Sequence, residues 1–280
     1  MRKRQFLRSL AMAPLAGARE PAVSIDGGRQ VFFDDHLVAE STLERIWHQP
    51  KIHPSSPVLQ PETPLEMNEG RCPEAGPFSD GVFYDPLDQL FKMWHHAGWF
   101  DGIGYATSQD GLRWTRPALD VEAGANRVRP ARRGEWRDGV TVWLDQEAAD
   151  PAHRFKKFAY FRRRPPGEHG GEVCTSAAGI HRGEPHRTGP CGDHTCFYYD
   201  PFRKLWVHSI RTSNPKQGRT RGRREHPDSL AGAAWGKDDI ISPWLAADEL
   251  DLPDPELGCR GRRAGFHRPA RHRRRGPQRV

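Results

Sequence analysis

The sequence has no run of 18 apolar residues, so no segment is built to cross a bilayer as a helix. It also lacks a Gly-x-Ser-x-Gly element and a Gly-rich phosphate loop, which removes the serine-hydrolase elbow and P-loop nucleotide chemistry. There is no Cys-x-x-Cys pair and no Cys/His spacing suited to zinc, so neither a metal nor a cofactor is expected. The five cysteines are an odd number, which leaves at least one without an intramolecular partner. Unpaired thiols are the default reading, with a small loop closed by Cys191 and Cys196 as the alternative. Acidic residues are missing from one place in particular: Gly258 to Val280 holds nine arginines and no acid.

That gap decides what the charge means. The net charge is +7, but outside residues 258–280 there are 34 basic against 36 acidic residues. The body is therefore not basic, and no nucleic-acid partner is expected. Two readings of the tail stand open: a frameshifted or truncated continuation of a longer chain, or a disordered basic arm. Residues 1–19 combine a basic start, a short apolar stretch from Leu10 to Leu15 and small residues at Ala16 and Ala18. This is the pattern of an export signal. Lys3-Arg4-Gln5-Phe6-Leu7-Arg8 resembles a twin-arginine signal with Lys for the first Arg. An exported protein, periplasmic or extracellular and not inserted in a membrane, is the expectation.

The 280-residue chain has a lean hydrophobic content of 36%, enough for a globular β protein, and residues 20–257 are the part left to form it. A Pro-rich stretch, "HPSSPVLQPETP", leaves little room for helix. Short β-prone runs follow: Val82 to Tyr84, Leu90 to His95, Ile103 to Thr107, Val140 to Leu144 and Phe155 to Phe161, separated by Asp-Pro and Gly turns. The runs repeat. Thr107, Ser108, Gly111, Leu112 and Pro117 lie in register with Thr175, Ser176, Gly179, Ile180 and Pro185. Tyr198-Tyr199-Asp200-Pro201 echoes Phe83-Tyr84-Asp85-Pro86, and both Asp-Pro pairs read as hairpin turns. Asp80, Asp138 and Asp193 open the units at spacings of 58 and 55 residues. A period of that size with several strands per unit is the signature of propeller blades, which bury their faces by stacking. Thr-Ser-x-x-Gly then reads as the turn into the last strand of a blade, covered by Trp114 in one copy, with Arg182 in its place in the next.

The segments "HPSSPVL", "GVFYDPLDQLFKMW", "YATSQDGLRW", "WRDGVTVWLD" and "GPCGDHTCFYYDP" together resemble the five-bladed β-propeller glycoside hydrolases of families 32 and 43, over roughly residues 30 to 258. The expected fold class is all-β, a five-bladed propeller type that is incomplete, with three to four blades present. The resemblance implies a glycan as substrate and acid/base chemistry by carboxyl groups. A chain short of its closing blade exposes strand edges, so inactivity is expected here even where longer relatives are enzymes. A non-catalytic propeller that binds carbohydrate or a protein partner is the other open reading.

An acid at the start of a blade's first strand points into the shared central funnel, and glycoside hydrolysis needs two carboxyl groups about the scissile bond. Arg137-Asp138 matches the first two residues of the family's Arg-Asp-Pro element, with Gly139 for the Pro; the resemblance implies that Asp138 stabilises the transition state. It implies the acid/base role for Asp193, where the family carries Glu. Asp80 is chosen as nucleophile or base, with Asp35 or Asp34 as alternatives. Each of these acids is also open to a plain role, a turn for Asp80 and Asp193 and an ion pair for Asp138. No Trp-x-Asn-Asp-Pro-Asn-Gly element is present. Arg137, Trp94, His95 and Trp99 are the candidate sugar contacts, the aromatic and imidazole rings being open to blade packing as well. Lys216 to His226 is expected on a solvated loop, with contact to an acidic sugar as the alternative.

Overall fold

The computed structural model describes residues 31–32, 34–35, 37–130, 134–163, 170–214, 218–239 and 241–247. The signal-like segment 1–19 and the Arg-rich tail 258–280 lie outside the described residues, as does Cys259. The chain divides into two compact units, Met1–Gln49 and Pro50–Val280. In the first, the described residues form neither helix nor strand; Arg45 pairs with Asp35 and lies 5.5 Å from the Trp47 ring.

The second unit holds the blades. Strands β1 (Ala75–Asp85), β2 (Leu90–Ala97) and β3 (Gly102–Ser108) make a three-stranded antiparallel sheet. Where a fourth strand would run, β3 carries only the isolated bridges Gly104 to Arg127 and Thr107 to Thr115. Strands β4 (Glu135–Leu144), β5 (Phe155–Arg163), β6 (Gly170–Ser176) and β7 (His186–Pro190) form a four-stranded meander. Strands β8 (Cys196–Asp200), β9 (Leu205–Asn214), β10 (Gly218–His226) and β11 (Ser242–Leu245) form another. Among the described residues the longest helix is α2 (Ser229–Ala233), and α1 (Pro64–Met67) is a single turn. Three consecutive antiparallel meanders are the part of a propeller that the repeats predict, and none of the described helices is long and apolar enough to cross a membrane.

A lone sheet has two faces and can hide only one, and β5 shows how the stacking solves this. Phe155, Ala159 and Phe161 alternate along it with Phe158 and Tyr160. The first set joins Trp94, Ile103, Tyr105 and Val142 in one core, between the first sheet and the second. The second set joins Phe197, Trp206, Ile210 and Trp235 in another, between the second sheet and the third. The period of two that makes a strand thus distributes one segment over both interfaces. The first strands of the sheets meet edge to edge: Ser79 Oγ donates to the Val140 carbonyl at 2.9 Å, and Gly139 sits so close to His194 that a Cβ there would lie 3.1 Å from its backbone nitrogen. A side chain at 139, the proline of the family element included, would press on that backbone.

The repeated turns are built alike. Ser108 Oγ accepts from the Gly111 N–H at 2.9 Å, and Ser176 Oγ accepts from the Gly179 N–H at the same 2.9 Å; the two glycines stand at φ +73° and +76°. Asp85 and Asp200 cap their hairpins, each accepting the N–H two residues on. Trp114 Nε1 covers the first turn by donating to the Gly111 carbonyl at 3.1 Å. In the second turn Arg182 does not take over this task and instead pairs with Glu172 at 3.8 Å. The Gly179 carbonyl is served by Trp94 Nε1 from the neighbouring sheet, at 2.8 Å.

One expectation is corrected here, and one alternative is decided. Gly218 to His226 is strand β10, paired with β9 along its whole length, rather than a loop. The ladder satisfies its backbone, and long arginine side chains can keep their heads in water from a strand, so the charge of the run does not oppose it; Lys216 and Gln217 lie outside the described residues. Cys191 and Cys196 are free thiols, as are Cys72 and Cys174.

Trp94→Phe keeps a ring in the core but removes the N–H that serves Gly179. The expected loss is about 1–3 kcal/mol, read from urea unfolding. Trp114→Phe, at a half-buried site with the same type of bond, is expected to cost less. Equal costs, or none at Trp94, would count against the cross-sheet bond as a stabilising contact.

Candidate functional site

The openings of the first two sheets are irregular, and the irregularity positions the acids. In β1, Gly76 pairs with His96 but Gly81 pairs with Trp94, so several residues, Asp80 among them, bulge against one partner. In β4, Arg137 pairs with Phe161 and Val140 with Ala159, which leaves Asp138 and Gly139 bulged in the same way. Bulges re-aim side chains at the rims of sheets. Asp193 stands in the turn that leads into β8.

The acids meet arginines. Asp80 is paired with Arg137. Asp138 accepts from Arg162 Nε at 2.5 Å, and the same guanidinium reaches Asp193 at 3.7 Å. Asp193 also pairs with Arg211 at 3.2 Å and Arg219 at 3.7 Å. Asp138 and Asp193 therefore flank one guanidinium. Asp80 is different: it is 0% exposed, and its Oδ2 has no hydrogen-bond partner. Burial pushes its carboxyl up to about 7 against the pull of Arg137. Beside it, burial raises Glu74, and burial with the nearby charge of Arg137 holds His96 down to about 3, a neutral imidazole. His96 Nδ1 faces Glu74 at 3.2 Å, and its Nε2 accepts from the Phe100 N–H at 3.1 Å.

Above this cluster lies a cavity of about 730 Å³, with Trp99, Phe100, Arg129, Trp136, Arg137 and Arg162 in its wall. Trp99 packs on Phe100 with ring centroids 4.7 Å apart, and Arg162 lies 4.8 Å from the Phe100 ring. Arg137 and Arg162, which pair with the acids, thus belong also to the wall of the cavity. Among the described residues no group of three or more His, Cys, Asp or Glu is arranged to hold a metal.

Of the expected sugar contacts, Trp99 is at the cavity and 44% exposed, and Arg137 is in its wall. Trp94 and His95 are corrected. Trp94 is 0% exposed, packed 5.3 Å from both Tyr105 and Phe155, so no face of it is open to a sugar. His95 is also fully buried, on the strand face opposite Trp94 and His96, with its Nε2 2.8 Å from Glu66 Oε1. Glu66 in turn accepts from Arg116 at 2.7 Å and from the Thr63 N–H. Burial raises the Glu66 carboxyl, but the bonds from His95 and Arg116 outweigh it and hold it at about 2. The alternative bases Asp34 and Asp35 are exposed in the other unit. Arg162 and Glu74 are site residues that the sequence reading did not single out.

No known family matches the chain in sequence, and no curated protein matches it. Solved structures do. An N-acetylgalactosamine deacetylase from F. plautii in complex with blood group B trisaccharide is similar at 16% identity over 60% of this chain and 52% of that one, with a TM-score of 0.40. A GH62 hydrolase in complex with xylotriose is similar at 14% identity over 61% and 56%, TM-score 0.39. An α-L-arabinofuranosidase from Clostridium thermocellum follows at 14% over 54% and 47%, TM-score 0.37. The chain spans about half the length of the structures it matches. The resemblance to five-bladed propeller glycoside hydrolases is one of strand arrangement, and no residue role is carried over from it.

The environment of Asp80 makes a prediction about pH. Its folded pKa of about 7 lies above the unfolded value of about 3.9. Its contribution to stability is therefore fully present below about pH 4 and is lost as pH rises through about 7. The difference in unfolding free energy between wild type and Asp80→Asn is expected to shift against the wild type between pH 4 and pH 8. Parallel pH curves in urea unfolding would show that Asp80 is ionised throughout.

Proposed function

We propose that the chain is a glycan-directed protein of glycoside hydrolase type, in which Asp138 and Asp193 are the carboxyl pair at the sugar. The observation that carries this reading is the sharing by the two acids of Arg162, itself a residue of the wall of an aromatic-rimmed cavity. Arg162 is 43% exposed, so it can leave the acids when a ligand enters. Asp193 then donates a proton to the glycosidic oxygen, and Asp138 attacks the anomeric carbon or takes a proton from an attacking water. Asp80 touches neither sugar nor water; it is a positioning residue that holds Arg137. Trp99 supplies the apolar face on which a sugar ring packs.

A second reading is binding without hydrolysis, favoured by the sealed position of Asp80, the acid expected to serve as base. The two separate in one set of measurements on the full chain, with aryl glycosides for turnover and oligosaccharides for affinity. Asp138→Asn is expected to lower turnover by roughly 10²–10⁴-fold while leaving affinity unchanged, and Trp99→Ala to weaken binding about tenfold. A wild-type chain that binds without turnover supports the second reading. A chain that binds no glycan, or for which Trp99→Ala changes nothing, overturns both.

A further inference from the structure

The charge of the cavity wall is unusual for a site that would hold a neutral sugar. A neutral pyranose offers hydroxyls, which are matched by a mixture of donors and acceptors. Here the charged residues of the wall are Arg71, Arg127, Arg129, Arg137 and Arg162 against Asp101 and Glu135. The donors are also in excess where it matters most. Arg137 is 2% exposed, and its Nε and Nη1 have no hydrogen-bond partner; only its other terminal nitrogen is engaged, with Asp80. Arg129, nearly as buried, leaves its own Nε without an acceptor. A buried N–H of a charged group left unmet costs at least about 1–3 kcal/mol, a cost that an acceptor reaching these atoms through a shift of the wall side chains would recover.

The two arginines are held in place for this. Arg129 sits over Phe161, its guanidinium carbon 3.7 Å from the ring centroid, and pairs with Glu135 at 2.6 Å. Arg137 is fixed at the bulge of β4 by Asp80. A planar fork held rigid is the geometry that takes a carboxylate or sulfate by two parallel bonds. Burial of Asp80 favours its neutral form and so leaves the charge of Arg137 incompletely balanced near neutral pH. Trp99 and Trp136, both partly exposed in the same wall, provide ring faces beside the arginines.

We infer that this cavity takes a sugar carrying an anionic substituent, a carboxylate or a sulfate ester, with the anion on Arg137 and Arg129 and the sugar ring on the adjoining aromatic faces. The inference rests on the proposed glycan-directed function and names the substrate class of that site.

Titration calorimetry on the full chain tests it with methyl β-D-glucuronide, glucose 6-sulfate, methyl β-D-glucoside and inorganic sulfate. At least one anionic sugar is expected to bind tenfold or more tightly than the neutral glycoside, and to weaken as salt is raised. The stronger of the two anionic sugars identifies the carboxylate or the sulfate as the natural group. Arg129→Gln is expected to weaken binding tenfold or more. Arg162→Gln, at a half-exposed position that tolerates the change, is expected to act in the same direction, whereas Arg203→Gln on the β8–β9 hairpin has no effect. A neutral glycoside that binds as well as the anionic ones overturns the inference and leaves the glycan reading standing. Inorganic sulfate that binds as tightly as either anionic sugar overturns it too, as does anionic binding that neither arginine variant weakens. Anionic sugar binding without any hydrolysis upholds the inference while the hydrolytic reading fails.

Discussion

A small antiparallel sheet has two faces and can bury only one unaided, and everything else in this protein follows from how that constraint is met. The second sheet is the one sheathed on both sides. Its strand β5 sends Phe155, Ala159 and Phe161 to one neighbour and Phe158 and Tyr160 to the other. Burial of aromatic side chains of this size contributes about 2–3 kcal/mol apiece, so most of the cohesion of the unit lies between sheets rather than within them. The backbone ladders fix which residues face each interface; the interfaces hold the sheets together.

The same stacking brings the first strands edge to edge, and it is there that charge collects. Carboxyl groups brought together away from water repel each other and lose hydration, so they either take up protons or find counterions. Both solutions are present. Asp80, without any contact to solvent, is driven toward its neutral form even with Arg137 beside it. Asp138 and Asp193, nearer the surface, share Arg162. Arg137 and Arg162, two of the arginines that balance these acids, also line the cavity, in whose wall arginines outnumber acids.

Much of the fold could be seen in the chain because it depends on local rules. The Thr-Ser-x-x-Gly turns require a short hydroxyl side chain and a glycine at positive φ, and those demands recur at a fixed spacing. The Asp-Pro hairpins are equally local. The site was visible only in part. Asp138 and Asp193 could be located by their place at the openings, but their common partner Arg162 comes from the far end of β5, and nothing in the run "FAYFRRR" distinguishes the arginine that turns inward. Trp94 and His95 misled for a related reason. An aromatic residue at a strand end looks the same in sequence whether a neighbouring sheet or open solvent lies over it, and here a neighbouring sheet and the Pro64–Met67 segment cover them. The arginine-rich β10 hid its strand character because charge says where a side chain's tip must go and little about its backbone.

The two matching turns satisfy the same carbonyl by different routes. In the first, the donor is Trp114, three residues along the chain; in the second it is Trp94, 85 residues away on another sheet. One turn is self-sufficient, and the other is complete only once its neighbour has docked. This makes the second turn a point of cooperativity, since assembly of the first two sheets and closure of that turn become a single event. It also frees position 182, the counterpart of 114, from the need for an indole. An arginine has settled there and points to Glu172 instead, so that a residue needed for structure in one repeat became available in the next for shaping the charge of the sheet.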